Sequence, residues 1–167
     1  MAEIAKWSKY IGLGGAAMEL HESIPVWLLT RSSFSLSDDV PLARRSENTG
    51  VWHHQLKVNG QFSVFARSYV AAGGEFRLLH LALSYLGEKV DAGLVLAERA
   101  LGGSVGVRLL EVPTFGMSSL WAQTEVVEKI VVLTKPASNT VPSGELMDPI
   151  TFIRRVRVEE SDPGIAP

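Results

Sequence analysis

Residues 51–70 read VWHHQLKV-NG-QFSVFARSYV, two runs rich in β-branched and aromatic residues on either side of Asn59-Gly60. Asn-Gly is favoured in a two-residue type I′ turn because both central positions need positive φ. A hairpin closed by that turn is expected to place Val58 opposite Gln61, Leu56 opposite Ser63, His54 opposite Phe65 and Trp52 opposite Arg67. Side chains alternate along a strand, so Trp52, His54, Leu56 and Val58 share one face and Val51, His53, Gln55 and Lys57 the other. The same register puts Phe62, Val64, Ala66 and Ser68 on the face of His53 and Gln55. Neither face is purely polar, which points to a sheet covered on both sides or to an aromatic surface used for association.

Downstream of the hairpin, Ala71-Ala72-Gly73-Gly74 makes a turn and Phe76 to Leu83 reads as a third strand. Leu86, Val90, Gly93, Leu94, Ala97 and Leu101 then recur at helical spacing, and Gly102-Gly103 supplies a left-handed stop. Val105 to Val112 and Val126 to Thr134 read as strands, with a turn and a short helix or strand over Thr114 to Ala122 between them. Lys135 to Gly144 reads as a loop. Asp148-Pro149 offers an N-cap followed by proline at the first helical position, starting a helix through Ile150, Ile153 and Val156.

Upstream, Ile4, Trp7 and Ile11 form a helical stripe that Gly12-Leu13-Gly14-Gly15 breaks. Ala16 to Glu22 reads as a short helix stopped at Ser23-Ile24-Pro25, and Val26 to Thr30 as a buried strand or a helix start, with β-branched and aromatic content slightly favouring the strand. Ser35 to Gly50 is polar and aperiodic, a loop long enough to be the first place to look for a binding segment. The sum is five or six strands and two or three helices without strict βαβ alternation. That predicts an α+β fold, a mostly antiparallel sheet with helices packed on it. One domain is expected over residues 1–158, with a flexible tail over 159–167.

The chain has 167 residues, no cysteine and a net charge of −2. Thiol catalysis and thiolate metal sites are thereby excluded, and a reducing cytoplasmic location fits. A near-neutral charge argues against nucleic acid as partner, although Arg44-Arg45 and the Arg154, Arg155, Arg157 group are basic clusters. No apolar run is long enough to span a bilayer. Glu3, Glu19 and three glycines around the apolar stretch Ile11 to Met18 argue against a secretory leader.

Gly12-Leu13-Gly14-Gly15-Ala16-Ala17 has the letters of a dinucleotide fingerprint, but no hydrophobic strand precedes it and no acidic residue follows at the required distance. It reads as a glycine break, and no cofactor is expected. His53 and His54 are adjacent, so on a strand they point to opposite faces and cannot share one metal ion; no metal is expected. Gly103-Ser104-Val105-Gly106 falls one residue short of a nucleophile elbow and reads as a turn into a strand.

With no convergent acid/base set, the favoured reading is a non-enzymatic interaction or accessory domain. It would associate with a protein partner or with itself, through the 51–70 hairpin or an exposed sheet edge. Trp52, Phe65 and Trp121 are the aromatic residues expected at such an interface. Two alternatives stand beside it. One is a small hydrolase or lyase with His54 or His80 as acid/base and Arg67 or Arg77 holding an anionic substrate. The other is a small-ligand binding fold with an apolar pocket lined by Trp52 and Phe65.

Overall fold

The computed structural model describes residues 12–13, 15–84, 86–134 and 141–160. The helical stripe expected over 4–11, most of the 135–144 loop and the tail beyond 160 lie outside them. Among the described residues there are eight strands, β1 (Met18–Leu28), β2 (Glu47–Val58), β3 (Gln61–Val70), β4 (Phe76–Leu83), β5 (Gly106–Val112), β6 (Met117–Gln123), β7 (Glu128–Thr134) and β8 (Leu146–Met147). They form one sheet of order β4-β3-β2-β1-β5-β6-β7-β8. The β1–β5 pair is parallel and every other neighbouring pair is antiparallel. Two four-stranded meanders thus meet at one parallel seam. Three α-helices accompany them: a single turn α1 (Leu42–Arg45), α2 (Leu86–Leu101) and α3 (Pro149–Glu160). The α+β class is as expected, with eight strands rather than five or six.

The two longer helices cover opposite faces. Val90, with Leu86 and Leu94, packs from α2 onto Ile24, Val26, Leu109, Leu120, Val131 and Leu133. Phe152, Ile153 and Val156 pack from α3 with Leu110, Trp121, Ile130 and Val132, joined by Leu29, Phe34 and Leu42 from the 29–42 segment. Helix α2 has the bounds its periodicity predicts and ends where Gly102 and Gly103 take positive φ, both amides donating to Glu98 O. Asp148 caps α3, accepting from the Thr151 amide at 2.9 Å and the Thr151 hydroxyl at 2.6 Å.

At Gly93, α2 lies close against the sheet. A Cβ there would lie 3.1 Å from Leu133 Cδ2 and 3.5 Å from Leu120 Cδ2. Glycine sets this approach, so Gly93→Val is expected to lose about 2 kcal/mol or more by overpacking. Urea denaturation reads the change; wild-type stability would mean that α2 is not seated this tightly.

Two expectations need correction. Residues 16–22 are not a short helix: Met18–Leu28 is one strand running through Pro25. Pairing with β2 along its whole length outweighs the modest helical preference of Met, Glu and Leu. Pro25 sits beside a register shift between itself and Trp27, where a missing ladder N–H is tolerated. The polar stretch 35–50 also contains α1 and the first residues of β2.

The hairpin is the second. Asn59 and Gly60 adopt φ of 51° and 81°, and Val58 faces Gln61. Lys57 then faces Phe62 while Leu56 faces Val64, so β3 carries one extra residue, a bulge at Ser63. Every later pair moves by one: Gln55 faces Phe65, His54 faces Ala66, His53 faces Arg67 and Trp52 faces Ser68. A one-residue shift reverses the faces. Phe65 and Arg67 therefore share a face with His53 rather than His54, and Val64, Ala66 and Ser68 join His54.

Candidate functional site

The bulge decides which histidine meets the arginine. His53, Arg67 and His80 are successive cross-strand neighbours on β2, β3 and β4. His53 is fully buried and stacks on Phe65 with ring centroids 5.0 Å apart. His80 meets the same ring edge-on at 5.2 Å. Arg67 reaches to β5, where its two terminal nitrogens bond the two carboxylate oxygens of Glu111, one at 3.2 Å. Burial, then the positive charge of Arg67, pushes the His53 imidazole down to about 3. Burial and Arg67 also lower His80.

Among the described residues, four buried polar atoms in this cluster have no hydrogen-bond partner: both ring nitrogens of His53, Gln55 Oε1 and Arg67 Nε. The Gln55 amide group donates to Gly87 O at the start of α2, at 3.4 Å. The His53 imidazole is fully buried and held neutral, and its arginine neighbour is already paired to a carboxylate. His53 and Gln55 are polar residues within the core, and His80 at the end of the row is exposed.

His54 projects from the opposite face. Its Nδ1 lies 2.8 Å from Ser23 Oγ on β1 and its Nε2 lies 2.7 Å from Ser68 Oγ on β3. Burial lowers its pKa, and a neutral ring donates from one nitrogen and accepts at the other, so both bonds can form together. The imidazole ties three strands. No carboxylate orients it, and Ser68 is buried at 5% exposure.

The four residues of the enzymatic alternative therefore do not converge. His54 and His80 occupy opposite faces, Arg67 is paired with Glu111, and Arg77 sits farther along β4 opposite Tyr69. Among the aromatic candidates, Trp52 and Phe65 are half-buried on opposite faces, so they do not line one pocket. Trp121 is fully buried, edge-on to Trp27 at 5.6 Å, and does not reach the surface. The arginine clusters are largely engaged within the chain. Arg45 is buried and donates to the carbonyls of Ser33, Leu36, Ser37 and Val40. Arg154 and Arg157 both bond Asp38, and Arg155 bonds Glu145.

Two surface features remain. The first is the sheet edge at β4. Among the described residues no strand pairs with its outer side, and Phe76, Leu79 and Leu83 are 62, 47 and 62% exposed, next to Val70 at 45%. The opposite edge is closed by the two-residue β8. Long apolar edges are rare because they invite pairing.

The second feature is a groove of about 390 Å³ between the 38–45 segment, the β6–β7 turn and the start of α3. Val40, Pro41, Leu42, Pro149, Ile150 and Ile153 give it apolar walls, and Asp38, Asp39, Glu128 and Asp148 bring carboxylates to it. The length of the polar 35–50 stretch was a usable signal for this site. Val126 and Ile150 gave none, since they come from distant segments brought together by the fold.

No protein-family model, curated protein or solved structure matches this chain.

Proposed function

We propose that the protein is a non-enzymatic interaction module that self-associates through the β4 edge of its hairpin sheet. The observation that carries this is a second bulge. Arg67 faces His80 and Ser68 faces Leu78, so Leu79 is an extra residue in β4. The bulge re-phases the strand and brings Phe76, Leu78, Leu81 and Leu83 to one face, that of Val64, Ala66 and Ser68.

The strand is therefore self-complementary about the midpoint between Leu79 and His80. Antiparallel pairing of two copies there sets Phe76 against Leu83 and Arg77 against Ala82, with no like charges opposed. Leu81 and Leu78 already belong to the apolar cluster of Leu56, Val58, Val64 and Ala66, which such a dimer would continue from one copy into the next.

Light scattering during size exclusion, over a range of concentrations, tests the reading. The wild type is expected to be a dimer, and the double variant Phe76→Lys, Leu83→Lys a folded monomer. A wild type that stays monomeric at high micromolar concentration, or a variant that stays dimeric, removes the proposal.

A further inference from the structure

A β4 dimer leaves the groove at the other end of the sheet open, and its chemistry is different. Its floor is Leu42 and Ile153, both buried, and its rim carries Val126 and Ile150 at 88 and 46% exposure. Such exposure of aliphatic side chains beside a concavity extends the apolar surface beyond the groove itself.

The polar groups present acceptors. Asp38 is bonded to Arg154 and Arg157, but none of Asp39, Glu128 and Asp148 is in an ion pair among the described residues. Asp39 accepts from Ser37, and Asp148 caps α3. The cation within the lining, Arg45, has its guanidinium occupied by four backbone carbonyls. Arg108, near Glu128, lies over the Trp121 and Trp27 rings at 4.3 and 5.1 Å and donates to Gln123. The half-buried Glu128 carboxyl is pushed up by burial, and the charge of Arg108 only partly opposes the shift.

We infer that this groove takes a short basic and apolar peptide segment of a partner protein. An aliphatic side chain of that segment lies on Leu42 and Ile153, and a lysine or arginine reaches Glu128 and Asp39. An anionic ligand would meet the carboxylates of Asp39, Glu128 and Asp148. A small amine could satisfy Glu128 but would leave Val126 and Ile150 uncovered. The volume suits two or three side chains rather than a large rigid ligand. The protein then joins two contacts, self-pairing at β4 and a partner segment at the groove.

The test is a titration of the full chain, followed by amide chemical shifts, with a synthetic hexapeptide alternating leucine and lysine. Two control peptides replace lysine by glutamate or leucine by serine, and butylammonium stands for a small amine. The leucine–lysine peptide is expected to move Val40, Val126, Glu128 and Ile150, and both controls to bind more weakly. Glu128→Gln and Asp39→Asn, each with an otherwise wild-type spectrum, should weaken binding by up to about fivefold, the scale of one partly exposed ion pair. Ile150→Ser should weaken it independently of charge. Absence of shifts up to the solubility limit overturns the inference, as does equal binding of the glutamate peptide. So does a response to butylammonium matching that of the peptide, or shifts confined to β4. Because β4 is distant in the sheet order, loss of this binding leaves the dimer result untouched, and the reverse holds.

Discussion

Acidification from neutral pH toward pH 3 is expected to destabilise the protein well before its carboxylates titrate, and His53 is the cause. In the fold its pKa is about 3 against 6.5 for an unperturbed imidazole. Between those values the unfolded chain binds a proton at this position and the folded chain does not. Stability then rises with pH, so it falls as pH is lowered through 6.5 and the loss levels off below about 3. The full effect is on the order of 4 to 5 kcal/mol, a large part of what holds a domain of this size together.

The groups around the ring reinforce the sign. Burial contributes most, and Arg67, His54 and His80 add positive charge that a protonated His53 would face. Asp38, Asp39 and Asp148 have lowered pKa values through their hydrogen bonds, so their own contributions are lost only below the ordinary carboxylate range. The two windows separate. His53→Phe keeps a ring to stack on Phe65, removes two unpartnered buried nitrogens and removes the titration. It should remove the largest part of the loss between pH 6.5 and 4, leaving the smaller part due to His54 and His80, whose pKa values are also lowered, and the drop below 4. Acid unfolding of both proteins measured side by side decides it, and coincident curves would show that His53 is not buried neutral.

Much of this was legible in the sequence, down to element bounds. Asn59-Gly60 specified the turn, and the Phe76–Leu83 strand and Leu86–Leu101 helix run as their periodicity indicates. The face of each β3 residue was not legible, because the bulge at Ser63 leaves no mark in composition. It moves His53 rather than His54 to Arg67 and separates Trp52 from Phe65. The strand through Pro25 was hidden for a related reason: a local proline rule was overridden by long-range pairing and a register shift. Trp121 shows a third limit. Periodicity places it on a face but does not say that α3 will cover that face. The groove combines residues from positions 38, 126 and 150, so only its loop component could be anticipated.

Arg67 and Glu111 carry the second large effect. The pair joins β3 to β5 across the intervening β2 and β1, and the two side chains are only 20 and 18% exposed. Removing one partner strands the other charge in a poorly solvated place, and here Arg67 Nε already lacks a partner. Glu111→Ala is therefore expected to cost about 2 to 3 kcal/mol, reduced from the fully buried case by the residual exposure. Replacing both members, as in Arg67→Met with Glu111→Leu, removes the charges together and should stay within about 1 kcal/mol of the wild type. Urea denaturation of Arg67→Met, Glu111→Leu and the double variant closes a thermodynamic cycle, with Glu111→Ala as the truncation measured beside it. A Glu111→Ala protein as stable as the wild type would show that water already screens the pair. A double variant as damaged as Glu111→Ala would mean that the ion pair fixes the strand arrangement rather than merely being tolerated by it. The cycle also reports on the core beside it, because His53 faces Arg67 across the β2–β3 ladder. With Arg67 gone, one cause of its lowered pKa disappears, so the loss on acidification in the double variant should level off at a higher pH, and be smaller in total, than in the wild type.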